Sequence, residues 1–165
     1  MANVRIQPSR ALTVIKSDDA DIPYPAIAVS GVDDTVPLGN QLIDSTKDFI
    51  ALQIYPGNIV YNTSVSPPLA ATVVSLSPSS PDTLTLNAPI FTGAGDSYII
   101  YQSSPMAGGQ NTGCVLYVGT GGDVTVTTAG NDYVTFVNVQ NGSFLPVQVV
   151  KVWNAGTSAD ILALW

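Results

Sequence analysis

Cys114-Val115-Leu116-Tyr117-Val118, then Gly119-Thr120-Gly121-Gly122-Asp123, then Val124-Thr125-Val126-Thr127-Thr128 is the stretch that decides the fold. Two β-branched, alternating runs flank a glycine-rich segment, which predicts two strands joined by a tight hairpin turn with glycine at positive φ. The same rhythm continues downstream. Ala129-Gly130-Asn131-Asp132 turns into Tyr133 to Val137, Asn141-Gly142-Ser143 into the long run Phe144 to Val152, and Asn154 to Ser158 into Ala159 to Trp165. Short strands at such spacing, punctuated by glycine turns, predict a sandwich or small barrel.

Upstream the chemistry is similar. Ala70 to Leu76 and Thr83 to Leu86 flank Ser77-Pro78-Ser79-Ser80-Pro81-Asp82, as a hairpin with a long tip does. Phe49 to Tyr55 is a continuous apolar run bounded by Pro56-Gly57-Asn58, and Gly39 to Asp48 is the best helical candidate. Twelve prolines and fourteen glycines interrupt the rest. Ser103 to Gly113 reads as a polar connector and the best boundary. The expected fold is all-β: an antiparallel sandwich or small, jelly-roll-like barrel with little or no helix. Three segments are expected: an arm and lead-in over 1–25, an inserted β-domain over 26–107, and a C-terminal β region over 108–165 that strands from 1–25 can complete.

What the chain lacks narrows its chemistry. It has no histidine, and its twelve acidic residues are all aspartate, against five Lys and Arg, for a net charge of -7. Histidine is the usual acid/base near neutral pH and the commonest metal ligand, so the standard hydrolase, dehydrogenase and zinc chemistries lose their parts, and a non-enzymatic role is expected. Only 10% of residues are charged, well below the roughly 25% of an average soluble domain. A surface of Thr, Ser, Asn and Gln fits a protein that packs against other subunits. Arg5, Arg10, Lys16, Lys47 and Lys151 are spread out, so no phosphate-binding patch is expected, whether on nucleic acid or on a membrane surface. No apolar run is long enough to span a bilayer, and no basic, then apolar, leader opens the chain.

The remaining motifs have ordinary readings. Gly119 to Asp123 lacks the lysine and the following helix of a phosphate loop. Asp18, Asp19 and Asp21, like Asp33 and Asp34, read as solvated acidic loops, since their spacing does not match a calcium loop. Nothing places two aspartates across a cleft for glycoside hydrolysis. Asn62-Thr63-Ser64 and Asn141-Gly142-Ser143 read as chance glycosylation matches in turns. Cys114, the one cysteine, reads as a small buried hydrophobe. No cofactor and no metal are expected.

Several blocks, in order, resemble a family of phage and gene-transfer-agent spike-base proteins. They are Leu116-Tyr117-Val118-Gly119-Thr120-Gly121-Gly122-Asp123-Val124, then Thr135-Phe136, Phe144-Leu145-Pro146-Val147, and Ala155-Gly156-Thr157-Ser158-Ala159-Asp160-Ile161-Leu162-Ala163-Leu164-Trp165. Ser17-Asp18-Asp19-Ala20-Asp21-Ile22-Pro23 is similar to that family's N-terminal lead-in. The stretch from about Ala26 to Gly113 departs from the pattern.

The resemblance implies a virion structural protein: a head decoration, cement or vertex spike-base subunit. It would be assembled in the host cytoplasm and sit on the outer surface of the head. Its partners would be the major capsid protein, a spike or fibre protein, or both, and its own copies in a trimer or pentamer. A tail or baseplate fitting and a receptor- or carbohydrate-binding module are the alternatives. Expected interface residues are Val4, Arg5, Ile6 and Arg10 in the arm, with Tyr117, Phe144, Trp153, Leu162, Leu164 and Trp165. A final strand so apolar is expected to be zipped into a sheet, within the chain or across a subunit boundary.

Overall fold

The computed structural model describes residues 8–34, 39–78, 82–105 and 109–165. Those residues form twelve strands and no helix: β1 (Ala11–Thr13), β2 (Ile27–Val32), β3 (Gln41–Ile43), β4 (Ile59–Asn62), β5 (Leu69–Ser77), β6 (Thr83–Leu86), β7 (Ser97–Tyr101), β8 (Cys114–Thr120), β9 (Gly122–Thr128), β10 (Tyr133–Val139), β11 (Ser143–Val152) and β12 (Asp160–Leu164). The fold is all-β and antiparallel, in two six-stranded sheets. The chain divides into a terminal unit, Met1–Lys16 with Thr112–Trp165, and a middle unit, Ser17–Asn111. The divisions therefore fall after Lys16 and Asn111, where the sequence suggested 25 and 107.

The middle unit orders its strands β2-β7-β4-β5-β6-β3. The expected hairpin is β5–β6, with Ser77 opposite Thr83. All six strands or their flanks supply one core, including Val29, Leu42, Val60, Val73, Leu84, Leu86, Tyr98 and Ile100. The sheet's outermost strands are drawn together just past β2, where the Asp34 amide donates to the Ile43 carbonyl at 3.1 Å. Asp33 Oδ1 accepts from the Ile43 amide beside it.

One local expectation fails here, and one apolar run takes an irregular form. Gly39 to Asp48 is not helical: Gln41–Ile43 pairs with Thr83–Thr85 as β3, because three residues of ladder bury Leu42 completely while ten residues with few spaced apolar side chains give a helix no face. Phe49 to Tyr55 is a compact knot of turns. The Leu52, Gln53 and Ile54 amides bond to the Asp48, Ile50 and Phe49 carbonyls, and Asp48 Oδ1 accepts from the Ala51 amide at 2.7 Å. Phe49 is fully buried while Ile50 and Leu52 stay exposed.

The terminal unit orders its strands β1-β12-β8-β11-β9-β10. The decisive correction concerns Gly119 to Asp123. β8 and β9 are not hairpin partners; β11 lies between them, antiparallel to both. They form one long ribbon folded sharply at Gly121 and Gly122, and the ladders on its two flanks run through the bend. On one flank Tyr133 to Leu145 pairs down from Thr127 to Leu116; on the other, Val149 to Leu164 pairs down from Thr128 to Val115. Val149 faces both ends of the ribbon, Cys114 and Thr128, so the ribbon is curled. The glycines serve this bend, not a hairpin tip. A Cβ on Gly121 would lie 2.5 Å from the Val139 carbonyl oxygen, and one on Gly122 2.4 Å from Ser158 Oγ. Inside the curl lie Leu116, Val118, Val124, Val126, Val149, Val152, Ile161 and Ala163, all buried.

Candidate functional site

Alternation along β8 and β12 decides which side chains leave the core. Cys114, Leu116, Val118, Ile161 and Ala163 point in, so Val115, Tyr117, Leu162 and Leu164 point out. Register then aligns the outward set. Tyr117 lies opposite Leu162 on one side and Phe144 on the other, and Leu162 lies opposite Thr13. One step along, Leu164 lies opposite both Ala11 and Val115. The Tyr117 and Phe144 rings meet at 5.2 Å between centroids, tilted by 59°. Phe144 is 58% exposed and Leu162 36%. No charged side chain stands in either row.

Four of the residues expected from sequence, Tyr117, Phe144, Leu162 and Leu164, are thus brought onto one face. The others go elsewhere. Trp153 packs against Tyr133 at 5.5 Å, donates from Nε1 to Thr127 Oγ1 at 2.9 Å, and has Lys151 Nζ 4.9 Å from its ring centre. Trp165 and Arg10 exchange backbone bonds, amide to carbonyl in both directions. The last strand is therefore zipped into its own chain's sheet, between β1 and β8. Val4, Arg5 and Ile6 lie outside the described residues.

Beside the apolar face, a groove of about 220 Å³ runs between Thr13, Val14 and Lys16 and the Ala159–Leu162 stretch, with Gly119 at its end. Lys16 Nζ points at the Thr157 and Ala159 carbonyls, at 3.5 and 3.4 Å. One lysine and Asp160 are its charged lining, which gives a polar rim to the apolar rows.

Several of the aspartates are engaged in structure. Ser17 Oγ accepts from the Asp19 and Ala20 amides, shaping the Asp18–Asp21 loop. Asp34 accepts from the Ser45 amide at 2.6 Å. Asp44, which the sequence did not single out, is buried and accepts from the Tyr98 hydroxyl at 2.7 Å. Burial raises the Asp44 carboxyl, but bonds from Thr46 and Tyr98 outweigh it and hold the group below its usual range. Burial, then the bond to Asp44, pushes the Tyr98 phenol far above its ordinary value. Burial likewise pushes the Cys114 thiol up to about 12, which leaves it protonated and unreactive. Among the described residues no group of three or more His, Cys, Asp or Glu is placed to hold a metal.

Sequence reasoning missed a second surface. β10 is the outermost strand of its sheet, and among the described residues nothing pairs beyond it. Tyr133, Val134 and Val137 on it are 62%, 37% and 66% exposed. The signal was visible, an uncharged apolar strand between polar turns, but edge position depends on topology that the strand does not encode. Compared with family models, curated proteins and solved structures, the chain shows no match.

Proposed function

We propose that this chain is a virion structural protein of the head exterior, a decoration, cement or vertex spike-base subunit. In this reading its copies assemble symmetrically on the finished capsid lattice and meet the major capsid protein or a spike. The observation that carries the reading is the uncharged face of Val115, Tyr117, Phe144, Leu162 and Leu164, with Lys16 and Asp160 at its rim. An apolar, aromatic centre inside a polar margin is how subunit contacts are built, and exposed apolar surface of this kind marks an interaction site. The spike-base resemblance runs through these same strands. The terminal sheet curls but leaves β1 and β10 unpaired among the described residues, so its form is that of an open, curled sheet and not a closed barrel.

Function then follows from multivalency. Each copy contributes a modest contact, and a symmetric set on a lattice holds far more tightly than any one member. Because such a set binds the assembled shell and not its dissociated subunits, it stabilises the shell by linkage. The test is density-gradient separation of the purified chain mixed with undecorated heads assembled from its own virus's major capsid protein. Co-migration of the wild type, lost in Phe144→Asp, is expected. A wild-type chain that stays at the top of the gradient overturns the proposal.

A further inference from the structure

The two edges of the terminal sheet differ in a way that specifies a partner. β10 has seven residues, none of them charged and none proline, so it lacks the lysines, prolines or inward charges that keep free edges apart. Its one protective feature is a bulge near its end, where Asn138 takes φ 53° and its amide bonds to Asp123 Oδ1 at 2.9 Å. Ahead of that bulge the strand is regular. The Asp132 carbonyl accepts from the Thr128 amide, so by alternation the backbone groups of Tyr133 and Thr135 face outward, away from β9. At the other edge Arg10 bonds to Trp165 and the Val14 amide to the Ile161 carbonyl. The backbone groups of Ala11 and Thr13 therefore face outward from β1.

Charge distinguishes the two edges. Asp132 precedes β10 and Asp123 bonds to its bulge. Arg10 and Lys16, two of the chain's five cations, bracket β1. Joining β10 to β10 gathers carboxylates, whereas joining β10 to β1 sets acidic margins against basic ones, and like charges across strands are destabilising.

We infer that the β10 edge of one copy pairs with the β1 edge of a second copy, head to tail, continuing the terminal sheet from subunit to subunit. This rests on the assembly reading above and names its subunit contact. A head-to-tail contact closes into a ring when its rotation divides a full turn, as a trimer or pentamer requires.

The test is sedimentation velocity on two proline variants, alone and mixed. Thr135→Pro removes an outward amide of β10, and Thr13→Pro one of β1; proline is tolerated on an edge whose amide faces solvent. The wild type is expected to form a closed oligomer. Each variant alone is expected to be monomeric, and their equimolar mixture to give a heterodimer through the one intact edge of each. A dimer of Thr13→Pro alone would show β10 pairing with itself and overturn the inference. So would a monomeric wild type, or variants that assemble as the wild type does. Thr135→Pro also loses the 2.9 Å contact between Thr135 and Thr125 hydroxyls. If its circular dichroism departs from wild type, Val137→Lys takes its place in the same mixture with the same expected outcomes. Head binding is scored separately: a monomeric wild type that still binds heads removes edge pairing and leaves decoration standing.

Discussion

The two units handle the same problem, the free edges of a six-stranded antiparallel sheet, in opposite ways. In the middle unit the chain leaving β2 reaches β3: Asp34 bonds to Ile43 through the backbone, Asp33 to the same residue, and Asp44 to Tyr98. The outermost strands hold each other, and aspartates that looked like a solvated loop form that junction. In the terminal unit the sheet curls round its core but leaves β1 and β10 unpaired among the described residues, with β10 apolar on both faces. The middle unit's outermost strands meet at one point beyond β2, whereas the terminal unit's two edges do not meet among the described residues. Exposed apolar side chains occur in both units, Ile27, Val32 and Val74 in the middle one and Tyr133, Val137 and Phe144 in the terminal one. In the proposed reading assembly belongs to the terminal unit because its two edges stay apart among the described residues.

The largest expected effects test whether each unit has its own core. Phe49→Ala in the middle unit and Leu116→Ala in the terminal unit each remove a side chain with no exposure. Each should cost about 2–5 kcal/mol in denaturant unfolding. A loss under about 1 kcal/mol at either site would mean that its surroundings are not packed as described.

Next comes the junction of the middle unit. A Cβ on Gly31 would stand 2.3 Å from Asp44 Oδ2 and 2.6 Å from the Tyr98 hydroxyl. Gly31→Ala should therefore displace a buried charge-assisted bond and cost about 2–3 kcal/mol. Gly119→Ala in the terminal unit would meet only the Asp160 carbonyl oxygen, at 3.6 Å, an ordinary contact, and should change stability by less than about 1 kcal/mol. Equal losses in the two variants would erase the contrast.

The same junction should respond to pH from both sides. Burial raises the Asp44 carboxyl, but bonds from Thr46 and Tyr98 leave it lowered in the folded chain. Its contribution is full above the unfolded value of about 3.9 and falls away as pH drops through the folded one. The Tyr98 phenol is raised by burial and by Asp44, so its contribution is full below about pH 10 and is lost as pH climbs above that. Burial raises the Tyr101 phenol as well, so ultraviolet titration of tyrosine should show a late-ionising group of phenols, and Tyr98→Phe should remove one of them. All seven phenols titrating freely while circular dichroism stays native would contradict the buried bond.

The smallest stability effect is expected on the outward face. Phe144→Asp alters a side chain that is 58% exposed and should shift unfolding by about 0.5 kcal/mol or less, while removing head binding in the gradient. A large loss of stability would make Phe144 part of the fold and not of a contact.

Strand existence was legible because alternation and turn residues are local. β5 to β12 all sit where β-branched runs lie between glycine, proline or asparagine breaks. What the chain hid was pairing. Gly121 and Gly122 read as a hairpin tip, because the local chemistry of a tight turn and of a sharp bend in one ribbon is the same; only the approach of Val139 and Ser158 separates them. Phe49 to Tyr55 read as one apolar run, although it buries Phe49 and turns outward at Ile50. Tyr117, Phe144, Leu162 and Leu164 were legible as outward aromatics and aliphatics, yet their alignment needed the register of three strands. Asp44 was invisible for the same reason, since its partner Tyr98 lies 54 positions away.

Hydrogen–deuterium exchange on the chain, dilute and then assembled, tests most directly that association belongs to the terminal unit. Amides of Tyr133 and Thr135, with Ala11 and Thr13, should exchange quickly when dilute and slow at least tenfold on assembly, while the middle unit's strands stay unchanged. Protection that instead appears on β2 or β3, or edge amides that exchange at one rate in both states, would contradict it.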